Sequence, residues 1–184
     1  MFSVSIFKYI LRKLPELKGN YLEIGICEGD SVAILADVFR DRFVYAIDPF
    51  VEDGNPHHSI MESKKYTALN NISGKENIRF YDMTSKLFHD TILNDEFCQN
   101  ANISAVLIDG SHWEEDVSND VEMSLKLIGT KKGVICFDDL NIPDVKKVYD
   151  EFLLKNESRI LNIEELQPGA TAVNLNSINL ESQQ

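Results

Sequence analysis

Tyr21-Leu22-Glu23-Ile24-Gly25-Ile26-Cys27-Glu28-Gly29-Asp30-Ser31 is an apolar run that reaches two glycines and passes directly into a helical pattern. It reads as strand, tight turn and helix: Tyr21 to Ile26 extended, Ser31 to Phe39 helical, with the turn made by glycines that tolerate backbone conformations other residues avoid. Outward from this unit the alternation repeats. Phe43 to Ile47 is a second strand, Ile78 to Tyr81 a third, Ala105 to Ile108 a fourth and Gly133 to Phe137 a fifth. A helix is expected between Ser85 and Phe97. Val117, Val121, Leu125 and Ile128 mark the face of another helix, which Gly129 terminates. Pro143 opens one more, with Val145, Val148, Tyr149 and Phe152 on its buried side.

Ile160 to Leu175 offers two further strands around the turn Gln167-Pro168-Gly169. Strand-helix alternation of this length predicts an α/β fold: a Rossmann-like, doubly wound, mostly parallel sheet of about seven strands, with helices on both faces and a C-terminal antiparallel hairpin. Ahead of it, Phe2, Ile6, Phe7, Ile10, Leu11 and Leu14 recur at helical steps, predicting an amphipathic helix that packs on the core and stops near Pro15 and Gly19. The organisation expected is residues 1–19 as this helix, 20–175 as one domain and 176–184 as a polar tail. Val51 to Lys65 has loop chemistry, and reads equally as a substrate lid or a surface excursion.

The chain has 184 residues, 43% hydrophobic and 26% charged, the composition of a single globular domain. Its net charge of −12 repels phosphate backbones and anionic headgroups, which disfavours nucleic-acid and membrane partners. Cys27, Cys98 and Cys136 are odd in number and lack zinc spacing, so they read as reduced, mostly buried thiols of a cytoplasmic protein. No apolar run is long enough to cross a bilayer.

Ligands of open α/β sheets bind beyond the carboxyl ends of the strands. Here those ends carry Glu23-Ile24-Gly25, Asp48-Pro49, Asp82-Met83-Thr84-Ser85, Asp109-Gly110-Ser111-His112 and Asp138-Asp139. The dinucleotide fingerprint of three glycines is absent, and a carboxylate at Glu23 suits a cationic amino-acid end better than a pyrophosphate. Asp48 is placed to accept hydrogen bonds from the ribose hydroxyls of a nucleoside.

The glycine turn with Gly29-Asp30-Ser31 and Tyr45-Ala46-Ile47-Asp48-Pro49 resembles the first two motifs of class I S-adenosylmethionine-dependent methyltransferases. Ile108-Asp109-Gly110-Ser111-His112 with Gly133-Val134-Ile135-Cys136-Phe137-Asp138-Asp139 resembles their metal-dependent O-methyltransferase branch, the macrocin and sugar type. The resemblance spans about Asn20 to Leu140 and implies an enzyme that moves the methyl of S-adenosyl-L-methionine to a hydroxyl of a small molecule, such as a sugar or secondary metabolite. It implies Glu23, Gly25, Gly29, Ser31, Asp48, Ser85 and Asp109 as cofactor positions, and Asp109, Asp138 and Asp139 as metal positions. Three converging carboxylates would repel one another unless a cation held them, and an all-oxygen set favours Mg2+ or another divalent cation over zinc. His112 is the candidate base, since imidazole is the side chain that exchanges protons near neutrality. With so short a chain, a homo-oligomer would help complete the pocket.

Blander readings stand beside these. Asp109-Gly110 and Asp138-Asp139 serve equally as strand-ending turns. His57 and His58 read as solvated, and Trp113 either stacks on a ligand or anchors the next helix. The competing function is a non-catalytic cofactor-binding module built on a degenerate methyltransferase fold. An NAD-dependent oxidoreductase is disfavoured by the missing third glycine and by Glu23.

Overall fold

The computed structural model describes residues 3–50 and 58–178. Helix α1 (Val4–Leu17) leads into β1 (Asn20–Ile24), α2 (Asp30–Val38), β2 (Val44–Ile47), α3 (His58–Ile72) and β3 (Ile78–Tyr81). Then come α4 (Ser85–Thr91), α5 (Asp95–Ala101), β4 (Ile103–Ile108), α6 (Glu114–Ile128), β5 (Gly133–Phe137), α7 (Pro143–Lys155), β6 (Ile160–Gln167) and β7 (Ala170–Leu175). The seven strands form one sheet in the order β3-β2-β1-β4-β5-β7-β6. All neighbours are parallel except β7, which runs antiparallel to β5 and to β6. The predicted doubly wound sheet with its final hairpin is therefore the observed one.

Each central strand is apolar on both faces because each face is covered. Leu22, Ile24, Ile47, Val106, Ile108, Ile135 and Phe137 pack with residues of α4 to α7. Tyr21, Val44, Ala46, Ala105, Leu107, Val134 and Cys136 pack with α1, α2 and Ala68 of α3. Alternate residues of one strand thus enter different cores, as the two-residue period of a strand requires.

Helix α1 ends at Leu17, between Pro15 and Gly19 as expected, with Lys18 at φ of 55°. Pro15 in the last turn cannot donate to the turn before it, and the Arg42 guanidinium donates to the Leu14 and Gly19 carbonyls at 2.6 and 2.9 Å, where the helix leaves carbonyls without intrahelical partners. Three expectations need correction. The single helix between Ser85 and Phe97 is two helices, because Asn94 starts a second one by accepting from the Phe97 amide at 2.8 Å. Of the loop Val51 to Lys65, residues 58–65 belong to α3, while 51–57, with His57, lie outside the described residues. Helix α3 shows little apolar periodicity because Ala68 is buried while Tyr66 and Leu69 are exposed. Finally, only Cys136 is fully buried; Cys27 and Cys98 are half-buried, and none of the three forms a disulfide.

Candidate functional site

The carboxyl ends of β1, β2, β4 and β5 meet along one rim. Gly25 donates its amide to the Ile47 carbonyl at 2.9 Å and holds φ of 84°, and a Cβ there would stand 2.1 Å from the Asp109 carbonyl oxygen. Only glycine lets the first turn lie against the exit of β4. Gly29, with φ of 73°, sets the start of α2.

Asp48 governs the shape of this turn. Its Oδ2 accepts from the amides of Ile26 and Cys27 at 2.9 and 3.1 Å, and its Oδ1 from that of Phe50 at 2.7 Å. A carboxylate offers about four acceptor positions, so most of this one is spent on the backbone. Burial raises its pKa, and the three amide bonds work in the opposite direction.

Glu23 is 2% exposed at the end of β1. Tyr21 donates to its Oε2 at 2.9 Å and Ser31 donates to its Oε1. Burial pushes its pKa up to about 7 against the help of both donors. The sequence-predicted pair Glu23 and Ser31 is thus brought together, with each glutamate oxygen already holding a donor.

The three aspartates expected as metal ligands lie at the exits of β4 and β5. Burial, followed by the charges of Asp138, Glu23 and Asp139, raises Asp109 to about 8. Asp138 is also raised, chiefly by burial, and its Oδ1 accepts from the Asp139 amide at 3.0 Å. Asp139 sits at φ of 57°, and its Oδ2 is 3.0 Å from Nε2 of His112. Among the described residues no group of three or more His, Cys, Asp or Glu side chains is placed to hold one metal ion. Asp138 and Asp139 lie close enough to Asp109 for their charges to raise it, and Asp139 also meets His112. The all-oxygen donor chemistry of these carboxyls fits a hard cation.

Sequence reasoning did not find the His112 and Asp139 pairing, nor Asp120. Asp120 lies on α6, is 1% exposed and takes a hydrogen bond from Asn119 at 3.4 Å on Oδ1, while Oδ2 has no hydrogen-bond partner among the described residues. Burial raises its pKa to about 7. The available signal was its place between Val117 and Val121 on the inward side of the helix. Ser85, half-buried, opens α4 beyond the end of β3. His112 and Trp113 stand largely open to solvent, Trp113 at 60%.

The family profile described as a methyltransferase domain matches residues 22–140. A comparison with curated proteins returns no match. Among solved structures, the O-methyltransferase NovP is similar with a TM-score of 0.73 and 16% identity, covering 95% of this chain and 81% of that one. The O-methyltransferase TomG of Streptomyces achromogenes, involved in tomaymycin synthesis and solved with S-adenosylmethionine, gives 0.69 and 15%, over 97% and 82%. CalS11, a TDP-rhamnose 3'-O-methyltransferase of calicheamicin biosynthesis, gives 0.60 and 12%, over 91% and 76%. At these identities the likeness is one of fold.

Proposed function

The chain belongs to the methyltransferase-domain family, and from that premise we propose that it transfers the methyl group of S-adenosyl-L-methionine to a hydroxyl of a small molecule, a sugar or secondary metabolite. The observation that carries the choice of a hydroxyl is the pair formed by His112 and Asp139 at the open end of β4. With the Nε2 proton donated to Asp139, Nδ1 is left to accept the proton of an acceptor hydroxyl. The acceptor oxygen bonds to the methyl carbon as the carbon-sulfur bond breaks. The sulfur keeps that electron pair and becomes a neutral thioether, and the hydroxyl proton passes to His112. Asp48 holds the turn against which the nucleoside would lie, and its remaining acceptor position faces the ribose in this reading. In this reading Gly25, Gly29, Glu23, Ser31, Ser85 and Asp109 are the other cofactor positions.

A divalent cation, Mg2+ first, belongs to the proposal as a ligand of Asp109 and Asp138, joined by Asp139 if it leaves His112. What supports it is the proximity of these carboxyls, whose charges add to burial in raising Asp109 to about 8. Bound there, such an ion would supply positive charge that eases deprotonation of the acceptor and orients it. A cytoplasmic location accords with three cysteines that form no disulfide. A homo-oligomer would cover the exposed His112 and Trp113; light scattering on the purified protein checks it.

The test is calorimetric binding of S-adenosylhomocysteine followed by turnover on hydroxylated acceptors with and without Mg2+. Wild type is expected to bind the product nucleoside, and His112→Ala to keep that affinity while losing roughly a hundredfold or more in kcat. Absence of nucleoside binding overturns the methyl-transfer reading. Full activity of His112→Ala removes the base, and neither Mg2+ uptake nor stimulation removes the ion.

A further inference from the structure

The loop that carries Asp138 and Asp139 leaves β5 against the turn of the β6-β7 hairpin. Phe137 is the last β5 residue in the antiparallel ladder, opposite Thr171 of β7. Beyond it, the Leu140 amide donates to the Gly169 carbonyl at 2.8 Å. Between these two contacts stand Asp138 and Asp139 on one side and only Ala170 on the other. Two residues opposite one make a β-bulge, a device that bends a strand and re-aims a side chain. The left-handed residue in this bulge is Asp139, with φ of 57°, a conformation that aspartate tolerates better than most residues with a Cβ. Its Oδ2 lies 3.0 Å from Nε2 of His112.

The turn that offers the accepting carbonyl is itself fixed. Gln167 and Ala170 close it as a strand pair, and Gly169 holds φ of 84°, the value a type II turn asks of the residue after its proline, here Pro168. Ser5 of α1 donates to Oε1 of Gln167 at 2.8 Å. A Cβ on Gly169 would stand 3.0 Å from Oδ1 of Asn141, so the turn and the loop after β5 fit closely. We propose that Gly169 is a positioning residue of the methyl-transfer site: by accepting the Leu140 amide it holds the bulge that aims Asp139 at His112, so that the β6-β7 hairpin sets the orientation of the base. The proposal rests on the reading of His112 as that base. In the sheet β7 is separated from β1 by β4 and β5, so the turn acts on the base and not on the nucleoside.

The test compares full-length wild type, Gly169→Ala, His112→Ala and the double variant. It uses crystal structures, S-adenosylhomocysteine titration, Tm and turnover of the hydroxylated acceptor that the wild type methylates. In Gly169→Ala the new methyl meets Asn141 at an unfavourable φ, which displaces the turn. The variant is expected to lose the contact of Asp139 with His112 and to keep the Asp48 bonds to the Ile26 and Cys27 amides. Its kcat is expected to fall about tenfold, less than removal of the base costs, with S-adenosylhomocysteine affinity unchanged. The double variant is expected to be no slower than His112→Ala alone, as groups that act through one another do. A role in stability alone would lower Tm and leave kcat intact. Wild-type kcat in Gly169→Ala, an Asp139 contact preserved in its crystal structure, a matching loss of nucleoside affinity, or losses that multiply in the double variant overturns the proposal. Should Gly169→Ala fail to fold, Pro168→Ala loosens the turn without crowding Asn141. It is expected to lower kcat about threefold, and wild-type kcat there overturns the proposal. If the wild type neither binds the nucleoside nor methylates a hydroxyl, the methyl-transfer reading falls and takes the proposal with it, whereas turnover by wild type with an indifferent Gly169→Ala removes only the role of Gly169.

Discussion

A carboxylate at a strand end does different work according to the donor it meets. Glu23 is the penultimate residue of β1 and Asp48 the first after β2, and Asp48 is held by three backbone amides while Glu23 is held by two side-chain hydroxyls. Asp138 and Asp139 are adjacent in sequence, and one accepts an amide while the other turns to an imidazole. That these positions would be acidic, and that they would sit on one rim, was legible from the sequence because strand ends are set by local pattern. Their partners were not, since hydrogen bonds across 8 to 27 residues of sequence depend on packing. Gly25 is the clearest case of a residue fixed by a neighbour distant in sequence. Gly25→Ala would set a methyl 2.1 Å from the Asp109 carbonyl at φ of 84°. It is expected to cost about 2 kcal/mol or more in urea unfolding and to abolish nucleoside binding. Unchanged stability would show that the turn and the β4 exit are less closely opposed.

The elements divide by how local their causes are. The strands and α2, α6 and α7 were readable because apolar runs or a clear helical stripe mark them. Helix α3 was not, because among its described side chains only Ala68 is fully buried and polar contacts tie it down, among them Lys65 with Asp82 and Asn71 with Asp30 at 2.9 Å. Helix α1 was legible as amphipathic, and the structure shows what its faces meet. Ile6, Tyr9, Ile10 and Leu14 are buried, the Tyr9 hydroxyl donates to Asn174 at 2.9 Å, and Arg12 pairs with Glu164 at 3.1 Å. Its basic side is therefore turned partly onto β6. Leu14→Ala should destabilise the protein by about 2 to 5 kcal/mol, the range for emptying a buried leucine site. A change under about 1 kcal/mol in urea unfolding would mean that α1 is an appendage and not part of the core.

Across the whole molecule the buried acids set a pH dependence. Glu23, Asp109 and Asp120 are raised to about 7, about 8 and about 7, from ordinary values of 4.5, 3.8 and 3.8. Between these limits the folded chain holds protons that the unfolded chain has released, so unfolding loses protons and stability falls as pH rises. Their stabilising contribution is full below about pH 4 and gone above about pH 8, and the exposed ion pairs add little against it. The urea midpoint should therefore decline from about pH 5 to about pH 8, with Glu23→Gln and Asp120→Asn flattening the slope. A midpoint that climbs through this window would contradict the burial of these groups. The sequence by itself determined the alternation of strands and helices, the parallel sheet and the row of acids and glycines along its edge, because hydrophobic periodicity and turn chemistry act over a few residues. Only the tertiary structure decided that Asp139 faces His112, that Asp48 is spent on the backbone and that Asp120 is buried on α6. Those outcomes depend on which buried donor lies within hydrogen-bonding reach, a distance that chain packing sets and residue order does not encode.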